Sequence, residues 1–373
     1  MYSTSVISFS TTLVSIVTCI SIFLFSYGDS RYSIALMSDL HIGEGCEPIP
    51  YNGTEDCYSV QYLREAIQYL NTNLIPKFNL SYLFISGDLT SSSYPTMWVK
   101  SRSILDTMNL IYIPAIGNHD IWPYDTENGT YEAPYPNGDT YFYTTFQDIF
   151  VKHSSTFITN YTMNTTVYNP KHNCTSMFQN WEAMIIDPET QSKALWLAPD
   201  FNTRDHAVDP TERGAMGYVE NGLSNFTGGV LPWLASRLQY YSSLPINEQP
   251  DKIYLFHHQP IKCPFYVPDI LFCFSIVDKL LLQDTLLAYF PASKYWGSFT
   301  GHTHIYVGPE QPLPDIPSYN QFETSASKGD ALFPENITSS ITIVSFEQSI
   351  PIEILEYYRN PTTNEWFMVN ATL

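Results

Sequence analysis

Between residues 32 and 116 the chain alternates short, largely apolar runs with longer segments of helical spacing. Tyr32–Ser38 (YSIALMS) is a run of strand length that ends on polar residues, and Leu80–Ser86 and Ile111–Ile116 repeat that form. Tyr58–Asn71 sets Val60, Leu63, Ile67 and Leu70 on one helical face, and Thr96–Met108 reads as a second helix. The alternation returns with strands at Ala183–Ile186, Ala194–Leu197, Lys252–Phe256 and Tyr295–Thr300, and with helices at Leu231–Tyr241 and Ile276–Tyr289. Strand and helix in turn predict an α/β layered domain. The last part, 340–373, departs from it: Ser340–Phe346, Ile352–Tyr358 and Trp366–Asn370 follow one another as antiparallel strands. Residues 121–175 are rich in Pro, Tyr, Asn and Gly and read as a long, loop-rich excursion over one rim.

The first 28 residues contain no Lys, Arg, Asp or Glu, and Leu13–Phe25 is an apolar run of the length found in signal peptides. Small residues Ser26 and Gly28 stand before Asp29, so 1–28 is expected to be removed and 29–373 to form one domain; an uncleaved N-terminal anchor is the alternative, because no basic residue precedes the apolar run. No later stretch of the sequence reaches transmembrane length. Asn-x-Ser/Thr sequons occur at Asn52, Asn79, Asn128, Asn160, Asn164, Asn173, Asn225, Asn336 and Asn370, about double the chance expectation. They point to a glycoprotein in the secretory route, delivered outside the cell or to a lysosome or vacuole lumen. Cys46 with Cys57, and Cys263 with Cys273, would each close a short local loop in an oxidising compartment, leaving Cys174 over.

Charge narrows the partners. Seventeen Lys and Arg against 37 Asp and Glu give −20 over 373 residues. Such a field repels nucleic-acid backbones and anionic lipids, so an anionic small molecule could bind only where something local reverses it.

Five motifs supply that local chemistry, each directly after an expected strand: Asp39-Leu40-His41, Gly87-Asp88, Gly117-Asn118-His119-Asp120, His257-His258-Gln259-Pro260 and Gly301-His302-Thr303-His304. Carboxyl ends of strands in an open α/β sheet converge on one crevice, so the five tips imply a shared site. Carboxylate, imidazole and amide oxygen suit Zn, Mn or Fe, and the lack of thiolate argues against a closed structural site. Asp39 and His41 stand two apart, as do His302 and His304; in extended chain each pair leaves one face.

The ordered set D-x-H, G-D, G-N-H-D, H, G-H-x-H resembles the calcineurin-like metallophosphoesterase superfamily. That resemblance implies a four-layer α/β/β/α sandwich carrying two divalent metal ions. By position, Asp39, His41, Asp88 and His304 would hold the first ion, and Asp88, Asn118, His258 and His302 the second. His119 would stabilise the transition state or protonate the leaving oxygen. His258 is preferred to His257 because it alone satisfies the family's H-x-P. The implied activity is hydrolysis of a small phosphate ester, diester or monoester, by hydroxide that the ions generate. An acid phosphatase is the near alternative, although Ser91 stands where purple acid phosphatases carry an iron-binding Tyr. Pro114–Asp125 (PAIGNHDIWPYD) is similar to secreted acid-sphingomyelinase-like phosphodiesterases, whereas LTSSSYP after Asp88 departs from their G-D-x-P-x-H. An inactive glycosylated binding protein that keeps the fold is the alternative of another class.

Overall fold

The computed structural model describes residues 31–46, 57–121, 124–125, 130–131, 138–154, 156–170, 174–204, 219–220, 222–263, 273–304, 307–326, 339–360 and 362–371. The signal-peptide reading of 1–28 falls outside them. In chain order the strands are β1 (Arg31–Met37), β2 (Leu80–Ile85), β3 (Ile111–Pro114), β4 (Tyr124–Asp125), β5 (Thr130–Tyr131), β6 (Ile158–Asn169), β7 (Cys174–Ile186) and β8 (Lys193–Ala198). They continue with β9 (Lys252–Phe256), β10 (Tyr295–Thr300), β11 (Val307–Glu310), β12 (Asn320–Glu323), β13 (Ser340–Glu347), β14 (Ile350–Arg359) and β15 (Trp366–Ala371). The main helices are α1 (Tyr58–Tyr69), α2 (Pro95–Leu105), α3 (Gly138–His153), α4 (Val230–Ser243) and α5 (Ile276–Leu287).

Two sheets carry the site. One runs β15-β14-β13-β1-β2-β3 and the other β11-β12-β10-β9-β8-β7-β6. Within the first, β1, β2 and β3 are parallel; within the second, β8, β9, β10 and β12 are parallel. Helices α1, α2, α4 and α5 make the crossovers that parallel neighbours require. The C-terminal hairpins extend the first sheet, with β13 antiparallel to β1.

Period-two patterning shows how the layers stack. In β8 and β9, Trp196, Tyr254 and Phe256 join the core shared with Ile34, Leu36 and Phe84 of the first sheet. Their neighbours Leu195, Leu197, Ile253 and Leu255 instead face Leu234 and Leu238 of α4 and Leu282 and Leu286 of α5. Val60, Leu63 and Ile67 of α1 close the outer side of the first sheet. The result is the α/β/β/α sandwich. Strand β1, buried on both faces from Tyr32 onward, is accordingly apolar there at every position but Ser33, whose hydroxyl lies 3.0 Å from that of Ser345 on β13.

The span 121–175 holds more regular structure than its composition announces. Phe142, Phe146 and Phe150 recur at four-residue intervals on α3, and all three are fully buried. The expected short strand Ala183–Ile186 is the end of the longer β7, which pairs with β6. Pro, Asn and Gly around these elements masked a helical period that Phe and Tyr carry. Both expected disulfides form, Cys46–Cys57 with Cα atoms 4.8 Å apart and Cys263–Cys273 with 5.6 Å. No helix among the described residues is long and apolar enough to cross a membrane.

Candidate metal centre

The loops after β1 and β2 run side by side beyond their strands. Asp39 N donates to Gly87 O at 3.1 Å, His41 N to Asp88 O at 2.9 Å, and Ile42 N to Leu89 O at 3.0 Å. Asp39, His41 and Asp88 all take left-handed backbone conformations, with φ of 52°, 43° and 51°. His302 and His304 do the same at 83° and 64°. The paired side chains therefore converge through turns, not through the extended chain that their spacing implied. Non-glycine residues with positive φ are strained, and such strain gathers at functional sites. Gly87, at φ 109°, leaves room for a close approach: a Cβ there would lie 2.8 Å from His258 Nδ1. A Cβ on Gly301 would lie 2.7 Å from Asp39 Oδ2.

All eight expected side chains come to one place. Asp39, His41 and His304 form one trio able to hold a cation, and Asp88, His258 and His302 form another, each with ligand atoms within 4.8 Å. His41, Asp88 and His119 make a third overlapping set. Asp39 Oδ1 lies 3.3 Å from His304 Nε2 and 3.8 Å from His41 Nε2. Asp88 Oδ2 lies between the trios, 3.4 Å from His41 Nε2 and 3.2 Å from His258 Nε2. Asn118 Oδ1 and His302 Nδ1 each stand 3.1 Å from His258 Nε2. His257 is buried too, but its ring packs against Phe201 and Phe274 and its Nδ1 faces Gln259 O at 2.7 Å.

The hydrogen bonds assign protons, and with them the fit for a cation. His258 Nδ1 lies 2.9 Å from Ser86 O, a group that only accepts, so Nδ1 carries the hydrogen. In the neutral ring Nε2 then presents a lone pair to two further oxygens, those of Asp88 and Asn118. Either a second proton or a metal ion must satisfy that convergence. Burial pushes the His258 pKa down, but Asp88 and Asp39 override it and lift it to about 9. Burial, with His258 adding to it, drives His302 down to about 3. Burial would raise both carboxylates, yet histidines win: His304 and His41 hold Asp39 well below the usual range, and His258 and His119 do so for Asp88. Carboxylates, imidazoles and an amide oxygen are a donor set for Zn, Mn or Fe.

A second tier of buried groups fixes these ligands. Asp120 accepts from Leu89 N, Thr90 N, Thr90 Oγ1 and Gly117 N at 2.9–3.1 Å, tying the Asp88 loop to the Asn118 loop. Burial and the nearby Asp88 raise its pKa to about 7. Asn202 donates to Ile116 O at 2.9 Å and accepts from Gln259, so it joins the strand ends of the two sheets. Fully buried Arg204 bonds Asp200 Oδ2 at 2.5 Å and Asn202 O at 2.8 Å beneath it. Glu323, at the end of β12, accepts from Thr303 N at 2.7 Å and from Thr303 Oγ1. Sequence reading found neither Asn202 nor Glu323; no local motif surrounds them, and a buried Asn or Glu looks like any other before its partner is known.

Fold and site together define an α/β/β/α sandwich whose strand ends gather two separate trios of candidate cation ligands, linked by a third set that takes His41 from one and Asp88 from the other. The calcineurin-like phosphoesterase family model matches residues 32–306, most of the chain, and the protein belongs to that family. No curated protein matches the sequence. Among solved structures the chain is similar to PhoD at 8% identity and TM-score 0.50, covering 91% of this chain and 68% of that one. It is similar to a 5'-nucleotidase from Candida albicans at 14% identity and TM-score 0.45, covering 89% of this chain and 52% of that chain. GAP50, the anchor in the inner membrane complex of Plasmodium, shares 9% identity at TM-score 0.45, covering 92% of this chain and 90% of that one. The chain thus spans about half the length of the nucleotidase.

Proposed function

We propose that the protein is an exported, metal-dependent hydrolase of small phosphate esters, with Asp39, His41, Asp88 and His304 holding one divalent ion and Asp88, Asn118, His258 and His302 the other. The observation that carries this reading is the position of Asp88 Oδ2, 3.4 Å from a nitrogen of one trio and 3.2 Å from a nitrogen of the next. When bound, a divalent pair supplies Lewis acidity toward phosphoryl oxygens and hydroxide at working pH, by lowering the pKa of water from 15.7 to about 7. Asp39 and Asp88 would offset only part of the charge of such a pair, so with it bound the cleft would be locally positive inside a protein of net charge −20. That reversal admits an anionic ester.

His119 is proposed as the proton donor to the leaving oxygen. Its backbone N donates to Asp88 Oδ1 at 2.9 Å, and its ring Nδ1 lies 2.7 Å from Ser91 O, which therefore takes the Nδ1 hydrogen. Nε2 is left as the atom that gains and loses a proton. Ser91 occupies the position of the iron-binding Tyr of purple acid phosphatases, which weighs against a purple Fe(III) centre. Export is supported by the apolar start, the nine sequons and the two disulfides.

Metal analysis of the full chain, with hydrolysis of paired chromogenic mono- and diesters, tests the reading. Activity lost to a chelator and restored by Zn or Mn is expected. Failure to bind metal, with no hydrolysis of either ester, would leave a glycosylated binding protein in its place.

A further inference from the structure

The turn that serves both trios is held from behind by one buried carboxylate. Strands β10 and β12 are parallel, with Thr300 opposite Glu323 and Thr324 N donating to Thr300 O at 2.9 Å. This register delivers Glu323, fully buried, beneath the Gly301–His304 turn that follows β10. Its Oε1 takes both polar groups of Thr303, the backbone N–H at 2.7 Å and the hydroxyl. Thr303 is flanked by His302 at φ 83° and His304 at φ 64°, neighbouring residues in a conformation that side chains disfavour. His302 belongs to one trio and His304 to the other. Asp39 Oδ2 adds a bond to His302 N at 3.0 Å, but Asp39 is itself a ligand candidate. Glu323 belongs to none of the cation-binding groups.

We propose that Glu323 is a positioning residue for both cations: by clamping Thr303 it holds the strained histidine pair in the one arrangement that points each ring into its own trio. The proposal rests on the metal-centre reading above. Its requirement is an oxygen acceptor at Oε1, not a charge. The fold supplies its own control in Glu356, equally buried, which accepts from Thr342 Oγ1 across β13 and β14 and belongs to neither trio.

Titration of the metal-free full chain with Co²⁺, followed by the visible absorption of the bound ion, tests this. Wild type should take up two ions. Glu323→Ala should weaken both by about 10- to 100-fold, the usual cost of losing a group that orients a ligand. Glu323→Gln keeps an acceptor oxygen and should bind as wild type. Glu356→Ala should lose thermal stability while its two cobalt affinities hold. Unaltered binding by Glu323→Ala, equal losses in Glu323→Ala and Glu356→Ala, or a Gln variant as weak as Ala would each overturn the proposal. If Glu323→Ala does not fold, Thr303→Val removes the hydroxyl bond alone; it should weaken both ions, and wild-type binding by it would overturn the proposal as well. A wild type that binds no cobalt would overturn the metal centre and this proposal together, whereas the variant results bear on Glu323 alone.

Discussion

His119 shows how finely single atoms are assigned in this site. Its backbone N–H is spent on Asp88 Oδ1 and its Nδ1 hydrogen on Ser91 O, so the ring is anchored at two points before any substrate arrives. Its ring centroid lies 4.7 Å from that of His41, edge to face, which sets the ring beside the His41 and Asp88 ligands. A proton delivered from Nε2 to a leaving oxygen is general acid catalysis, worth about 10²–10⁴-fold. His119→Ala should therefore lower kcat by about that factor while metal content, measured by elemental analysis, stays near wild type. The effect should be smaller for a chromogenic ester whose nitrophenolate leaves without a proton than for an alkyl ester. Equal losses on both would show that His119 acts on the cations or on binding, not on the leaving group.

Strands and turns decide which of these atoms meet, and they also bury acids that the chemistry does not use. Glu356 on β14 stands directly opposite Thr342 of β13, with its pKa raised by burial to about 8 against only the partial relief of the Thr342 hydrogen bond. In the unfolded chain a glutamate loses its proton near pH 4.3. Between about pH 4.3 and 8 the folded form thus holds a proton that the unfolded form has released, and stability falls as pH rises through that window. Below it both states are protonated, and above it both are ionised. Glu356→Gln should melt like wild type near pH 4 and above it at pH 8; parallel melting curves across the range would refute the shift. The same elements explain what could be read from the chain alone. G-D, G-N-H-D and G-H-T-H are local words, legible because strand, tight turn and ligand occur within a few residues. The turn geometry was not legible: Asp39 and His41 converge at φ 52° and 43°, whereas their spacing suggested extended chain. Nor was Glu323, whose partner Thr303 lies twenty residues earlier and is brought to it only by the parallel register of β10 and β12. Helix α3 was hidden by its neighbours, since Pro and Asn around it outweighed the four-residue recurrence of Phe.

At the scale of the whole molecule, the chain's two covalent staples sit close to the candidate metal centre in sequence. Cys46 follows His41 by five positions, and Cys263 follows His258 by the same five. The bonds Cys46–Cys57 and Cys263–Cys273 therefore close the segments that leave the site from each sheet. All four sulfur-bearing residues are buried. A closed loop of about eleven residues is expected to add about 3 kcal/mol by restricting the unfolded chain. The Cys263→Ser, Cys273→Ser double variant should thus lose about 2–3 kcal/mol in denaturant unfolding. Because the restraint acts on the segment beyond Gln259, it should also loosen the bond by which Gln259 donates to Asn202, the link between the two sheets. The variant is then expected to bind its second cation more weakly than its first, since His258 and Asn118 stand on either side of that link. An unfolding midpoint equal to wild type would show that packing alone holds the segment. Equal weakening of both cations would place the effect on the fold as a whole and not on the junction of its sheets.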